Sequence, residues 1–318
     1  MVRLHLSGSF PRSEQLIEAT RAATRGKVSP SVVEEAFRLD LMKLVQLQTE
    51  AGLDFVVDGQ LNWQDLFRPF CELFAGIQLG SLVRWFDNNT FYRKPVVVDR
   101  VRFVGTTLER YFRLGVSPTA SAKKAILPGP YTFAAMSENT AYQSMADLVD
   151  DIAHALRETV MRLRGSGYCY FQFNEPYICF GNMMTDELDM LKHALGTCTK
   201  GLGEKSALQI YFGDPSSYLD VLLDYPIDCI GLDFYAMSAD SLSGHDFTRE
   251  LACGCIDGRN SLLESPTDLK RLLAKIEIEE GIDPENISLC PNCDLEFLPH
   301  GIAEKKVRIL AEAREVLS

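Results

Sequence analysis

The chain alternates short apolar runs with longer amphipathic stretches along most of its 318 residues. Short, nearly continuous apolar runs are typical of parallel strands buried on both faces, and the stretches between them are typical of helices that cover such a sheet. Eight such units are the number of a (β/α)₈ TIM barrel, so the sequence predicts an α/β fold of that class. The predicted strands are Arg3–Ser7, Phe55–Asp58, Ala125–Leu127, Tyr168–Phe173, Leu208–Phe212, Cys229–Asp233, Leu251–Ile256 and Ile287–Leu289.

Helical patterns occupy most of the segments between these strands. The helix predicted over Ser31–Ala51 begins SPSVVEE, which gives a serine cap, a proline at the next position and carboxylates in the first turn. Another helix, carrying Arg21, is expected after the first strand. The other predictions are helices over Met145–Arg164, Asp186–Leu202, Ser216–Leu223, Pro266–Glu280 and Ile302–Leu317.

The segment Cys71–Lys124 lacks this alternation and forms a long insertion between the second and third strands. It contains VVVDRVRFVG, which predicts a β-ribbon, and long insertions of this kind usually carry binding surface. No Gly/Ser-rich or Pro-rich linker marks a boundary, so residues 1–318 are expected to form a single barrel domain.

Composition and charge narrow the possible partners. Lys plus Arg total 32 against 44 Asp plus Glu, a formal charge of −12 that repels nucleic acid. No apolar run approaches the ~20 residues needed to span a bilayer, so a cytoplasmic protein without membrane contact is expected. Nine scattered cysteines, mostly inside apolar runs, indicate reduced core thiols.

Polar residues follow nearly every predicted strand. In barrels the chemistry lies at the carboxyl ends of the strands, so carboxylates and amides that converge there suit an amino acid or a polar ring system. The alternative is that some of them only cap the following helices. The positions are Ser7, Gly8 and Ser9, then Asp58 and Gln60, Asn174 and Glu175, Asp214, Asp233, Asp257, Arg259 and Asn260, and Cys293.

Metal chemistry has weak support in the sequence. The motifs CPNC (290–293) and CGC (253–255) each offer two thiols, whereas a zinc site needs three or four ligands. None of the five histidines has a spacing that would complete either motif. The sequence also lacks a GxSxG elbow and the GxGxxG and Walker phosphate loops.

Eight motifs together resemble one family, cobalamin-independent methionine synthase, in the family's own order from end to end. The family enzyme has two related (β/α)₈ barrels, an N-terminal barrel without metal that helps to hold the methyl-folate and a C-terminal barrel that binds zinc and homocysteine. This chain has the length of one barrel. The motifs are SGSFPRSEQL, VVDGQLNWQDLF, RWFDNNTFYRKP, ILPGPYTF, FQFNEP, IYFGD, GLDFY and IDGRNSLLES.

The resemblance is to the metal-free barrel. The family's zinc barrel carries a His-x-Cys, a Glu and a Cys at its strand ends, and the matching positions here look like Gln209, Tyr211, Asp233 and Cys293. WFDNNTFY, LNWQD, YFG and GRN are instead similar to the N-terminal barrel. The resemblance therefore implies no metal in this chain, no tightly bound cofactor and a methyl-tetrahydropterin as co-substrate.

The same resemblance implies a set of substrate- or pterin-binding residues, without assigning a catalytic residue. Arg84 and Arg21 would offer the local positive charge that a poly-glutamyl tail requires on an acidic chain. Single motifs also have structural interpretations: Glu175 at a helix start, or Trp63 in the core. The implied residues are Ser9, Arg12, Glu18, Thr20, Arg21, Gln60, Trp63, Asp65, Arg84, Asn174, Glu175, Tyr211, Asp233 and Arg259.

Three functions remain open at this stage. The leading hypothesis is a pterin-binding subunit that pairs with a separately encoded zinc-binding methionine synthase barrel. The second is a self-sufficient methyltransferase with another donor or acceptor, and the third is a non-catalytic binding or regulatory barrel.

Overall fold

The computed structural model describes residues 2–115 and 121–316, in which eight parallel strands form one sheet. In chain order the strands of the whole structure are β1 (Arg3–Leu4), β2 (Phe55–Val56), β3 (Phe74–Arg84), β4 (Phe91–Phe103), β5 (Ala122–Pro128), β6 (Glu138–Asn139), β7 (Tyr168–Asn174), β8 (Lys205–Gln209), β9 (Cys229–Asp233), β10 (Glu250–Ile256) and β11 (Ile287–Pro291).

The large sheet has the order β1-β11-β10-β9-β8-β7-β5-β2, and all its pairs are parallel. A parallel bridge between His5 and Phe55 joins its two end strands and closes the barrel. The predicted TIM barrel and its eight strands are confirmed. The fifth barrel strand, β8, lies about three residues earlier than predicted, because the chain leaves the sheet after Gln209 and Phe212 adopts a left-handed φ of 73°.

Helices surround the barrel as the amphipathic patterns predict. Strands β9, β10 and β11 are buried along their whole length, which is why they read as continuous apolar runs. The predicted helix 266–280 is α-helical only to Ala274 and continues as a π-turn over Lys275–Glu279. The helices are α1 (Glu14–Thr24), α2 (Pro30–Glu50), α3 (Arg68–Leu73), α4 (Leu108–Tyr111), α5 (Pro130–Ala135), α6 (Met145–Gly165), α7 (Tyr177–Phe180), α8 (Thr185–Thr199), α9 (Leu219–Leu223), α10 (Pro266–Ala274) and α11 (His300–Val316).

The insertion contains the predicted β-ribbon. Strands β3 and β4 form an antiparallel hairpin, and the short β6 adds a parallel third strand to it. The hairpin sheet packs on α6, so the insertion is fixed to the outside of the barrel at its base. Its turn, between Arg84 and Phe91, is therefore free to reach back over one end of the barrel.

The core is apolar, and thiols are part of it. Seven of the nine cysteines are buried and the other two are half-buried, in agreement with the predicted core thiols. In the part of the chain that the structure describes, no helix is long and apolar enough to cross a membrane.

Candidate functional site

The carboxyl ends of the barrel strands meet in a polar region that we call the mouth. One side of the mouth is built around Ser9, whose hydroxyl donates to Gln60 Oε1 and whose backbone N–H donates to Asp294 Oδ1 over 2.7 Å. Asp294 packs directly on Gly8, because a Cβ at that position would lie 2.0 Å from Asp294 Oδ1. The loops after β1, β2 and β11 are thereby held together by polar contacts.

Tyr211 lies beside this group. The chain leaves β8 at Gln209, and the Tyr211 side chain that follows is 1% exposed. Burial raises the pKa of the Tyr211 phenol, the nearby Asp294 and Cys293 raise it further, and a neighbouring Asn174 at the end of β7 lowers it. The phenol is therefore a neutral hydroxyl at neutral pH.

Asp294 and Glu296 form a pair of acids at the mouth. Burial raises the pKa of the Asp294 carboxyl, and the negative charge of Glu296 raises it further. The Glu296 side chain is exposed to solvent; partial desolvation raises its pKa, Arg12 lowers it and Asp65 raises it. The buried Asp294 therefore holds its proton up to a higher pH than an isolated aspartate does.

The four positions that correspond to zinc ligands do not fit a zinc ion. Gln209 uses its amide to donate to the Asn292 carbonyl over 3.3 Å. Asp233 accepts from Asn292 Nδ2 and from the backbone N–H groups of Phe212 and Tyr235 over 2.9 to 3.2 Å, so its carboxylate is committed.

The remaining two positions fit no better. Burial raises the pKa of Cys293 well above its ordinary value, which keeps it a thiol, and Tyr211 is a neutral phenol. Zinc requires thiolate, imidazole or free carboxylate ligands. Within the described residues, no group of three or more His, Cys, Asp or Glu side chains could hold a metal ion.

Glu175 has a structural task. Its carboxylate accepts the backbone N–H groups of Tyr131 and Thr132 over 2.8 and 2.7 Å, at the start of α5. Burial raises the pKa of Glu175 to about 7, against these hydrogen bonds, which lower it. A Cβ on Gly129 would lie 2.1 Å from the carboxyl carbon, so glycine is required there. Glu175 therefore stabilises the start of a helix, as the structural interpretation of the FNEP motif predicts.

Trp63 and Asp65 also hold the fold together. The Trp63 indole N–H donates to the Tyr111 carbonyl over 3.0 Å, and its ring is buried among other aromatic rings. Asp65 accepts from the backbone N–H groups of Phe67 and Arg68 at the start of α3 and from that of Arg93 in β4. Asp65 thus ties the hairpin to the barrel and stands near Glu296 at the mouth.

The turn of the hairpin covers part of the mouth. Phe86 in this turn lies 4.3 Å from Phe180 and 5.9 Å from Phe212, measured between ring centroids. Arg259, after β10, lies over the Phe212 ring at 5.1 Å and donates to Asp87 in the turn over 3.1 Å. The sequence motif WFDNNTFY pointed to this turn as a binding element but gave no indication of these partners.

Backbone strain marks the same region. In the described residues, the non-glycine positions with a left-handed φ are Gln60, Phe86 and Phe212, with φ of 51°, 49° and 73°. All three lie at the mouth or in the turn that covers it. Conformations of this kind cost about 1–3 kcal/mol each and cluster at functional sites.

Other residues of the predicted set lie apart from this group. Glu18 and Arg21 are exposed on α1, and the Thr20 hydroxyl donates to the Leu16 carbonyl of the same helix. Arg84 is exposed at the end of β3 and donates to Asn89 within the turn. No hydrogen bond or ion pair among residues 2–115 and 121–316 joins these four side chains to the mouth.

Three residues at the mouth were missed by the sequence reasoning: Asn292, Asp294 and Glu296. They surround Cys293 in the run CPNCDLE after the last strand. Two acids directly behind a strand end are the sequence signal for them.

Comparison with known proteins identifies the family. The model of the N-terminal domain of cobalamin-independent synthase matches residues 76–280, which is more than half of the chain. The methionine synthase of Sulfurisphaera tokodaii is 31% identical over 318 residues, covering 98% of this chain and 90% of that protein. The chain belongs to the cobalamin-independent methionine synthase family.

Solved structures agree with the family fold. A B12-independent methionine synthase from Shewanella sp. W3-18-1, in complex with selenomethionine, superimposes with a TM-score of 0.82 at 23% identity over 100% of this chain and 98% of that one. The putative vitamin-B12 independent methionine synthase of Listeria monocytogenes gives a TM-score of 0.80 at 15% identity, covering 100% and 99%. At these identities the likeness concerns the fold.

Proposed function

We propose that this member of the methionine synthase family is a metal-free, pterin-binding component of methyl transfer from a methyl-tetrahydropteroyl-glutamate to homocysteine. It would work with a separately encoded zinc barrel. The observation that carries the proposal is the chemistry at the four strand-end positions. Gln209 and Asp233 are committed to internal hydrogen bonds, while Tyr211 and Cys293 stay protonated.

The chemistry of the reaction explains why a partner is needed. Homocysteine must attack as a thiolate, and a zinc ion lowers the pKa of a bound thiol so that thiolate is present at neutral pH. No described residue at the mouth of this barrel performs that task, since the Asp294 carboxyl is itself prone to hold a proton. Binding and orienting the methyl donor is the task that remains.

The mouth suits a polar ring system. Asn174 and Gln60 carry amide groups and Tyr211 a hydroxyl; Phe212 contacts the Tyr211 ring, and Phe86 contacts both Phe212 and Phe180. A few placed polar groups in otherwise apolar surroundings are typical of small-molecule sites. A pterin offers both an apolar face and a hydrogen-bonding edge.

The test is reconstitution. The chain is co-expressed with a zinc-type barrel from the same source, and methionine formation from homocysteine and the methyl-pterin is measured with each protein alone and with both. Activity that requires both is expected. Asn174→Ala should reduce it at least tenfold, whereas the exposed Asn286→Ala should not. Failure of the two barrels to co-purify or to restore activity would contradict the subunit role.

A second candidate has an observation of its own. Relatives named methionine synthase are of one-barrel length, since this chain covers 90% of the Sulfurisphaera tokodaii protein and 93% of that from Saccharolobus solfataricus. A self-sufficient methyltransferase with another donor or acceptor is therefore the alternative. Methyl transfer by the purified chain alone, with its metal content measured in the same sample, would favour it.

A further inference from the structure

A pocket of about 430 Å³ lies beside the mouth, between the loop after β10 and the start of α10. Its volume is within the range of small-molecule sites, and most of its lining is apolar. Ser9, Gln60, Tyr211 and Asp294 do not line it, so it is separate from the polar contacts of the mouth. We call it the side pocket; its apolar lining includes Phe234, Tyr235, Leu262, Leu263, Leu269 and Leu272.

The lining of the side pocket includes the carboxylate of Glu264, whose side chain is 4% exposed. Glu264 Oε1 forms an ion pair with Lys306 on α11 and accepts the backbone N–H of Asp257 over 2.9 Å. The Tyr235 hydroxyl lies 3.5 Å from the same oxygen and donates to the Cys255 carbonyl over 3.2 Å. The position of the carboxylate is therefore fixed through Oε1.

The second oxygen of this carboxylate, Glu264 Oε2, is buried and has no hydrogen-bond partner among the described residues. An ionised carboxylate only accepts hydrogen bonds, so the missing partner is a donor. Buried polar atoms without partners are rare in folded proteins, and each calls for an explanation such as a ligand.

One wall of the side pocket consists of side chains that can move at little cost. Leu262 and Leu263 precede Glu264 in the chain and are 74% and 47% exposed. Exposed apolar side chains lose little buried area when they rotate, and they gain buried area when they pack on a ring that enters. Their rotation would bring such a ring within reach of Oε2.

The charges around the side pocket favour a neutral donor. The negative charge of Glu264 is balanced by Lys306, so it needs no further cation. Asp268, which also lines the pocket, is paired with Arg271 over 3.1 Å. An anion would be repelled by these two acids and by Asp257. The remaining ligand class is an uncharged apolar ring with a donor on its edge.

We propose that the side pocket binds a neutral aromatic ring that carries an N–H or O–H group, and that this group donates to Glu264 Oε2. This goes beyond the proposed function, because the pterin donor is assigned to the mouth and its glutamate tail is an anion. The ring would be a second, separate ligand of the chain.

Indole and benzofuran are the probes. They have nearly the same shape, and benzofuran has a ring oxygen in place of the indole N–H. Their dissociation constants are measured by saturation-transfer NMR on the full chain, without a partner barrel or a pterin. We expect indole to bind at least fivefold more tightly than benzofuran. Equal affinities would overturn the proposal.

Glu264→Gln tests the unpartnered oxygen. Lys306 retains the single oxygen of the new amide, so the amide nitrogen takes the place of Oε2 and opposes the indole N–H. The preference for indole over benzofuran should disappear, while the affinity for benzofuran stays the same. Circular dichroism checks that the variant is folded. A folded variant that still prefers indole would contradict the assignment of Oε2.

The double variant Leu262→Ser/Leu263→Ser tests the apolar wall. It should weaken the binding of both probes at least threefold and leave the fold intact, since both side chains are exposed. Leu82→Ser, at a 58% exposed position on β3, is the matched control, and Asn174→Ala tests binding at the mouth. Neither should change the affinity for indole.

A loss of indole binding in Leu82→Ser or Asn174→Ala, or unchanged binding in the double variant, would place the ring elsewhere and overturn the proposal. If Glu264→Gln does not fold, the two probes and the double variant decide the question. Because no partner barrel or pterin is present, failure here is distinguishable from failure of the reconstitution.

Discussion

Replacing Lys124 by methionine should change the pH dependence of stability. Lys124 is 1% exposed inside the barrel, where its Nζ lies 2.9 Å from His5 Nδ1 and donates to the Leu6 carbonyl over 3.0 Å. It also lies 4.5 Å from the centre of the Tyr170 ring. None of these neighbours is a carboxylate, so burial lowers the pKa of the amine from 10.5 to about 7.

The size of the effect follows from this shift. A pKa shift of this size means that the charged amine destabilises the folded chain by about 5 kcal/mol. Below pH 7 both the folded and the unfolded chain carry the proton, and the full penalty applies. Between pH 7 and 10.5 only the unfolded chain carries it, so the free energy of unfolding of the wild type rises by up to about 1.4 kcal/mol per pH unit from this group.

Urea unfolding of the wild type and Lys124→Met at pH 7.5, 8.5 and 9.5, under reducing conditions, measures the difference. Methionine keeps the length and flexibility of the side chain without its charge, and the titration of the cysteines is common to both proteins. We expect the wild type to gain about 2–3 kcal/mol relative to the variant over this range. The exposed Lys270→Met should show no such trend. A difference that is constant with pH, or that moves against the wild type as pH rises, would refute the argument.

Three further predictions concern other parts of the molecule. Gly129→Ala places a methyl group against the Glu175 carboxyl, so it should lower stability by about 2–4 kcal/mol in thermal unfolding, with no change in an alanine variant of the exposed Gly203. Elemental analysis of the purified chain should find zinc at background level; tight, near-stoichiometric zinc that is lost in Cys293→Ser would contradict the metal-free assignment. With a partner barrel present, Arg84→Ala should weaken a poly-glutamyl folate more than a mono-glutamyl one, and the difference should shrink with salt; equal losses would remove Arg84 from the site.

The sequence alone determined the barrel and the position of most of its strands. Strands such as CIGLD and ELACGCI are buried on both faces, so almost all of their residues are apolar. This apolar run is visible in the sequence itself. The β-ribbon of the insertion was also predicted, because strand-forming sequence such as VVVDRVRFVG is a local property of the chain. Family motifs added the expectation that this barrel holds no metal, since they report the identity of the side chains at the strand ends.

The partners of those side chains were decided only by the tertiary structure. Glu175 and Trp63 looked like binding residues in the sequence, yet the structure uses one to hold α5 and the other to hold the loop that contains Tyr111. The contact between Ser9 and Asp294 joins positions 285 residues apart, and no local pattern reports it.

The polar contacts around Ser9 at the mouth arise in the same way. They form because closing the barrel through His5 and Phe55 brings the loop after the last strand against the loops after the first two. Strand identity depends on neighbours along the chain, whereas the chemistry of the mouth depends on which strand ends the closed barrel places side by side.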